Sequence, residues 1–219
     1  MRLYASPRRS TRRRFLVSLA LTGSALLVSP VSTLAYDGNA AAQWADNYAI
    51  YANCAISPCF TNDCTGFVSQ AMHFGGAYPY YGVDQNIHDD HYWWLKNVGA
   101  GFGYSDSWAG INHLYYFEGV HIPGGTNYGG VVPGWQHLAS SGLVKGDLLF
   151  YDWTSNGIDS TDHVGMMVGS GTDPSNTSWA GDWVDAHSNS HYHAFWTLAP
   201  YNSYVLTTKI YRMHIYATN

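Results

Sequence analysis

Charge divides this chain into two unequal parts, and the division limits how much of it can fold as a domain. Six of the ten basic residues are arginines within the first fourteen positions, whereas all fifteen acidic residues follow Ala35. An uncharged, mostly apolar run from Phe15 to Val31 lies between them and leads to Thr33-Leu34-Ala35. A basic head, an apolar stretch and small residues before a cleavage point are typical of a secretory signal. We therefore expect residues 1–35 to be removed and residues 36–219 to form a single domain.

The basic head also favours one export route. The segment Thr11-Arg12-Arg13-Arg14-Phe15-Leu16 is similar to a twin-arginine signal, which directs bacterial export of proteins that have already folded. A single membrane-spanning anchor is the alternative, but a span needs about 20 apolar residues and Pro30 shortens this run. The expectation is a secreted bacterial protein, extracellular or associated with the cell wall, with no stable membrane anchor after cleavage.

The composition of the remaining part excludes several classes of protein. Hydrophobic residues make up 46% of the whole chain, which is too many for a disordered protein. Residues 36–219 carry four basic and fifteen acidic side chains, a net charge of −11. Nucleic-acid binding requires basic residues that displace counterions, so we expect no nucleic-acid partner. No internal repeat or second domain is evident, and a monomer is expected.

The three cysteines of this exported chain constrain its chemistry. In an oxidising environment cysteines pair, and an odd number leaves one thiol unpaired. Cys54 and Cys59 flank the turn-forming residues 55–58, which favours a disulfide between them. Cys64 is then the unpaired thiol. A buried structural role for Cys64, or its pairing with Cys59, is the alternative.

Cys64 is predicted to lie in the first turn of a buried helix. The apolar residues after it, Phe67, Val68, Ala71 and Met72, recur at helical spacing, and Asn62 or Asp63 is the expected N-cap. Unpaired N–H groups at a helix N-terminus stabilise a thiolate, which is the nucleophilic form of cysteine. The position therefore suits a reactive thiol.

A second motif places histidines on a predicted sheet. Residues 146–151 and 164–169 are typical of strands, and His163 directly precedes the second. A third strand is predicted over residues 183–188, so that an antiparallel meander brings His187 near His163, with Asn189 as a nearby substitute. A cysteine on a helix that faces a histidine on a sheet, with a third polar group orienting the ring, is the pattern of cysteine hydrolases.

Taken together, these motifs resemble the putative amidase domain of secreted bacterial proteins, in the papain-like superfamily with the NlpC-type and CHAP hydrolases. The resemblance covers roughly Ala40 to the C-terminus. The motifs, which occur in the family's order, are Asn62-Asp63-Cys64-Thr65-Gly66-Phe67-Val68-Ser69-Gln70-Ala71, Gly75-Gly76, Trp93-Trp94, Ser107-Trp108, Gly146-Asp147, Tyr151-Asp152-Trp153, Asp162-His163-Val164 and His187-Ser188. Gly66 departs from the amidase branch, which often has Asn there, and we expect the change to affect packing more than chemistry.

The resemblance implies a thiol hydrolase of amide bonds in peptidoglycan stem peptides or related peptides. It assigns Cys64 as the nucleophile, His163 as the general base and His187 as the residue that orients the imidazole. A thiolate paired with protonated His163 is expected to attack the carbonyl. Asp63, Asp162 and Asn189 are candidates for contacts with substrate or with a catalytic ring, although an N-cap role for Asp63 is equally expected. An acyltransferase with the same Cys–His pair and a non-catalytic secreted binding module are the alternatives.

No cofactor and no native metal are expected. Two groups of residues are of types that can bind zinc, namely Asp185, His187, His191 and His193, and His88, Asp89, Asp90 and His91. Neither spacing matches a well-formed ligand set. A calcium loop beginning at Asp152 is disfavoured because His163 occupies the position of its final Glu.

The fold expected is α+β and papain-like, with helices near residues 40–53 and 63–74 packed on an antiparallel sheet from the second half. Residues 201–216 are expected to form one or two closing strands. The glycine- and aromatic-rich stretch of residues 97–142 is open to two interpretations, loops over a binding cleft around a helix near residues 108–117, or cover for a small core.

Overall fold

The structure, a computed structural model, describes residues 36–121 and 126–216, with the backbone alone for residues 126–130. The predicted export signal, residues 1–35, lies outside the described residues. All described residues fall in one compact unit. None of the helices in the described ranges has the length and hydropathy needed to span a bilayer.

Two helices near the start of the described chain pack against the sheet. Helix α1 (Gly38–Tyr48) begins after Asp37, whose carboxylate accepts the Ala40 N–H at 3.0 Å as an N-cap. It ends five residues before the predicted end, because Ile50 and Tyr51, which follow the buried C-cap Ala49, are exposed and offer no buried face. Helix α2 (Cys64–Gln70) continues as a π-helical turn (Ala71–Gly75), close to the predicted range of 63–74.

The glycine-rich middle of the chain contributes mainly to the core. Trp108, Tyr115 and Phe117 are buried there, which supports the interpretation of this stretch as core cover, whereas Trp135 is 53% exposed. The helix expected near residues 108–117 is broken in two at Gly110. The elements of this region are β1 (Leu95–Asn97), β2 (Phe102–Tyr104), α3 (Asp106–Ala109), α4 (Ile111–Tyr116) and a π-helical turn (Phe117–His121).

Within the described residues, the second half of the chain forms a six-stranded antiparallel sheet. Its strands are β3 (Thr126–Pro133), β4 (Leu148–Asp152), β5 (His163–Thr172), β6 (Ala180–Ala186), β7 (His191–Phe195) and β8 (Lys209–His214), and a 3-10 turn (Ile158–Ser160) lies between β4 and β5. The strand order is β3-β8-β4-β5-β6-β7, so the predicted meander β4-β5-β6 is present. With helices and this sheet the chain is α+β, as expected.

The end of β6 and the length of the closing strand differ from the prediction. Strand β6 ends at Ala186, so His187 lies in the turn that follows it. The closing segment forms one strand, β8, because residues 201–207 are mostly in turns stabilised by their own backbone hydrogen bonds, such as Thr207 N–H to Tyr204 O at 2.9 Å.

Both faces of the sheet are buried. On one face Val164, Met166 and Val168 of β5 pack with the helices, together with Phe67 and Trp108. On the other face a second cluster is built from β-strand and loop residues, namely Leu149, Tyr151, Met167, Val184, Trp196, Leu198 and Ile210. Alternate residues of a strand point to opposite faces, so the buried apolar side chains of β4 and β5 are divided between the two clusters.

Candidate active site

The cysteines are arranged as the sequence indicated. Cys54 and Cys59 form a disulfide with a Cα–Cα distance of 5.3 Å, and Cys64 is the free cysteine. Cys64 is the first residue of α2 and is 7% exposed. The unpaired thiol therefore lies at the start of the helix, where helix and sheet meet.

The residue before Cys64 ties α2 to the turn after β6. Asp63 occupies the N-cap position, but its side chain makes no capping hydrogen bond. Instead, its Oδ2 lies 3.0 Å from His187 Nδ1, and its backbone N–H donates to Ser188 Oγ at 2.7 Å. Two hydrogen bonds thus hold the start of the helix against the end of β6.

His187 is fully engaged by these surroundings. Its Nε2 lies 2.7 Å from the Tyr48 carbonyl oxygen at the end of α1, and its ring stacks on Phe67 with centroids 4.1 Å apart. With Nδ1 at Asp63, both ring nitrogens have partners. No hydrogen bond joins His187 to His163, so the orienting role expected for His187 has no such contact in the described conformation.

The electrostatics around Cys64 favour the neutral thiol. Burial raises the pKa of Cys64 above its ordinary value, and the backbone N–H groups of Val164 and Thr65, with the Thr65 hydroxyl, oppose this increase only in part. The nearby Asp63 carboxylate raises the pKa further. The Val164 contact places the start of β5 directly against the sulfur.

His163, the residue before Val164, lies on the other face of the sheet. It pairs across the strands with Tyr151, and its ring centroid is 5.7 Å from those of both Tyr151 and Trp153. Its Nε2 is buried without a hydrogen-bond partner in the described chain. Burial lowers the pKa of His163 to about 3, with a smaller contribution from His191.

Cys64 and His163 therefore adjoin through Val164 but share no hydrogen bond between their side chains. At neutral pH both groups are uncharged, because burial disfavours the thiolate and the imidazolium alike. This differs from the thiolate–imidazolium pair that we expected from the sequence. The difference arises because neither group has a buried counter-charge at hydrogen-bond distance.

One comparison with known proteins identifies the family. The family model described as a putative amidase domain matches residues 35–211. The chain belongs to this family. No curated protein and no solved structure matched it. Membership supports an amide hydrolase, that is, an enzyme that acts on C–N bonds.

A cavity of about 310 Å³ lies beside His163 in this putative amidase domain. Asn189, one of the predicted site residues, is exposed and lines it. Asn189 is thus near His163, whereas His187 is bound to Asp63. The other lining residues are Trp153, Asp162, Ser188, His191, Leu198, Tyr201, Asn202, Ser203 and Tyr204.

Two aspartates organise the loop that forms one wall of this cavity in the amidase domain. Asp162 is exposed, and its Oδ2 accepts the Trp153 N–H at 2.8 Å. Asp152 accepts the backbone N–H groups of Thr154, Asn156 and Gly157 at 3.2, 3.1 and 2.8 Å. The segment that weakly resembled a calcium loop is therefore a turn closed by its own carboxylate.

Sequence reasoning missed two members of this candidate site. The Tyr48 carbonyl holds His187, but a backbone oxygen carries no residue-type signal. Ser188 holds the Asp63 N–H, and its place beside His187 in the family motif is the one sign that would have drawn attention to it.

Proposed function

We propose that this protein is a secreted cysteine-dependent hydrolase of amide bonds, with Cys64 as its nucleophile. The observation that carries the proposal is the position of the free thiol. Cys64 begins α2, is held in place by Asp63 and His187, and faces the backbone N–H groups of Thr65 and Val164. Helix and sheet meet there as in the papain-like arrangement that we propose for the fold. Membership of the amidase family supports the reaction class.

His163 is proposed as the general base. Its neutral imidazole takes the proton from the Cys64 thiol while the sulfur attacks the amide carbonyl. The same proton then goes to the leaving amine as the C–N bond breaks, which leaves a thioester on Cys64. Water cleaves the thioester, releases the carboxylic acid and restores the thiol.

This mechanism requires a movement of the His163 ring. The imidazole lies with Tyr151 on the sheet face opposite Cys64, so the backbone at the start of β5 must rearrange for the ring to reach the sulfur. His163 is the first residue of β5, where the strand leaves the loop that precedes it. His187 acts in this scheme as a positioning residue, through Asp63.

The substrate we propose is a peptidoglycan stem peptide or a related peptide. The cavity beside His163 has aromatic walls from Trp153, Tyr201 and Tyr204 and an exposed carboxylate from Asp162. Aromatic faces pack on peptide backbone, and a carboxylate binds the free amines that such peptides carry. A chain with a net charge of −11 over residues 36–219 would bind an anionic cell wall through such contacts rather than through a basic patch.

Release of amines from purified peptidoglycan and from synthetic stem peptides tests the proposal. The wild-type protein is compared with Cys64→Ser and with the matched double variant Cys54→Ser/Cys59→Ser, which removes the disulfide but keeps the free thiol. We expect Cys64→Ser to lose all activity and all labelling by iodoacetamide at position 64, while the double variant keeps both. Amine release by Cys64→Ser would overturn the proposal, and transfer to an added amine would indicate an acyltransferase.

One observation favours the second candidate, a non-catalytic binding module. The side chains of Cys64 and His163 lie on opposite faces of the sheet, and the pKa values of both disfavour their charged forms. The binding module would be supported over the hydrolase if wild type and Cys64→Ser bound stem peptide with equal affinity and neither protein released a product.

A further inference from the structure

We propose that Asp46, Asp185 and His193 form a binding site for one first-row divalent cation, for which Zn²⁺ is the probe. Asp46 comes from α1, Asp185 from β6 and His193 from β7. One ligand atom from each lies within 4.8 Å of the other two. A cation at this point would join the first helix to two strands of the sheet.

The positions of the donor atoms support the site. His193 Nε2 lies 2.8 Å from Asp46 Oδ1, so an imidazole nitrogen and a carboxylate oxygen already converge. The His193 backbone N–H donates to Asp185 Oδ1 at 2.6 Å, which directs that carboxylate toward the same place. Small shifts of these side chains would place all three donor atoms about 2.0–2.2 Å from a central Zn²⁺, the usual bond length for His and carboxylate ligands.

The unpaired oxygen of Asp185 is the independent sign of a ligand. Asp185 is fully buried, and its Oδ2 has no hydrogen-bond donor in the described chain unless the neighbouring Asp46 carboxylate carries a proton. A buried carboxylate oxygen without a partner is costly, since it has lost water and gained nothing in return. A bound cation would supply the missing interaction for Oδ2, which the hydrogen bond to Oδ1 leaves free.

The donor set and its support suit a cation of this class. Two carboxylate oxygens and one imidazole nitrogen are ligands that Zn²⁺ and its neighbours accept. The His193 ring is fixed by stacking on Trp183, with centroids 4.2 Å apart and planes 7° from parallel. Such support orients a metal-binding imidazole before the ion arrives.

The site has access to solvent. A cavity of about 860 Å³ is lined by Asp46, Trp183 and His193, together with Tyr36 and Lys145. A water molecule from this cavity can complete a four-coordinate shell. None of the three ligands is Cys64, Asp63, His163 or His187, so the inference does not rest on the proposed hydrolase activity.

From the sequence we considered a different set of donors in this region and expected no metal there. Four candidate ligands lie between residues 185 and 193, and two of them, Asp185 and His193, belong to this site. His187 is bound to Asp63 and Tyr48, and His191 lines the cavity beside His163. Asp46, which completes the set, is 147 residues from His193 and carries no motif of its own.

Zinc binding by a tag-free full chain tests the proposal. The chain is stripped with EDTA and titrated with Zn²⁺, with bound metal counted by elemental analysis and affinity measured by competition with a chelating dye. All proteins carry Cys64→Ser, which removes the free thiol as a competing ligand. We expect one Zn²⁺ per chain, a higher unfolding temperature with Zn²⁺, and binding weakened by about tenfold or more in Asp46→Asn and His193→Gln.

His88→Gln is the matched control, because His88 also pairs with a carboxylate, that of Asp106, but is exposed and outside the cluster. It should bind Zn²⁺ as its parent does. Asp46 is only half-buried, so Asp46→Asn remains informative if variants of Asp185 fail to fold. The site would be overturned if the parent bound no stoichiometric Zn²⁺, or if Asp46→Asn and His193→Gln bound Zn²⁺ as tightly as the parent. A proton shared between Asp46 and Asp185 would then explain the cluster.

Discussion

His187 Nδ1 lies 3.0 Å from Asp63 Oδ2, in a buried contact between residues 124 positions apart. Because Asp63 directly precedes Cys64, this bond fixes the backbone from which the proposed nucleophile projects. The Tyr48 carbonyl holds the other ring nitrogen, so α1, the start of α2 and the turn after β6 meet at one imidazole. The contact explains how a seven-residue helix can hold its first residue in place.

Replacing Asp63 with Ala should destabilise the protein. His187 would lose its carboxylate partner while its side chain is only 6% exposed, and an unsatisfied buried polar group costs about 1–3 kcal/mol. We expect a decrease of that size in the free energy of unfolding, measured by urea denaturation. The control is His88→Gln, whose exposed pair with Asp106 should contribute little. Equal stability of Asp63→Ala and wild type would show that the bond is dispensable.

Gly66→Ala should disturb the same contact through packing. A Cβ at Gly66 would lie 2.7 Å from Asp63 Oδ1 and 3.1 Å from the Phe60 ring. Overpacking of this kind costs about 1–3 kcal/mol, so we expect a lower unfolding temperature. Gly103→Ala is the control, because its Cβ would meet nothing closer than 3.6 Å. A Gly66→Ala protein as stable as Gly103→Ala would contradict this account and would mean that Asp63 adjusts freely.

The pH dependence of activity should lack the usual histidine limb. The acid limb of kcat/KM reports the pKa of the free enzyme's base, and burial lowers the pKa of His163 to about 3. The pKa of Cys64 is raised, so the thiol is also uncharged across the neutral range. We expect kcat/KM on a stem-peptide amide to be nearly constant from about pH 5 to about pH 8. A limb near an ordinary histidine value would contradict His163 in its buried state as the base.

Glu118 should make the protein less stable as pH rises. Burial raises its pKa from 4.5 to about 8, against the hydrogen bond from the Tyr78 hydroxyl at 2.9 Å. Between these values the folded state keeps a proton that the unfolded state loses, so the stability is fully present at low pH and declines as pH rises toward 8. The decline attributable to this residue is about 1 kcal/mol per pH unit.

Glu118→Gln isolates this effect, because it keeps an acceptor for Tyr78 and cannot ionise. Unfolding free energies of both proteins at about pH 4, 6.5 and 8 should agree at the lowest pH and then diverge, with the variant more stable. His163 has the opposite dependence, losing stability as pH falls from 6.5 toward 3, but it is present in both proteins and cancels. A constant difference at all three pH values would show that Glu118 is ionised in the fold.

Much of the fold followed from local patterns in the sequence. Apolar residues at helical spacing after Cys64 predicted α2, and the runs after Gly146 and His163 predicted β4 and β5. The face on which His163 lies was not predictable in this way. Residues 164–168 of β5 are buried on both faces and contain no polar side chain, so alternation no longer marks the side that packs on the helices.

By itself the sequence determined the elements whose cause is local: the odd cysteine, the disulfide across a short turn, the start of the helix at Cys64 and the strands of the meander. Only the tertiary structure decided which groups each histidine meets. His187 hydrogen-bonds to Asp63, and His163 lies against Tyr151 in the cluster on the other face of the sheet. His193 contacts Asp46, which is 147 residues away in the chain. Such pairings depend on how α1 and α2 pack against β5 and β6, and long-range packing is encoded in the summed burial of many side chains rather than in the spacing of any few.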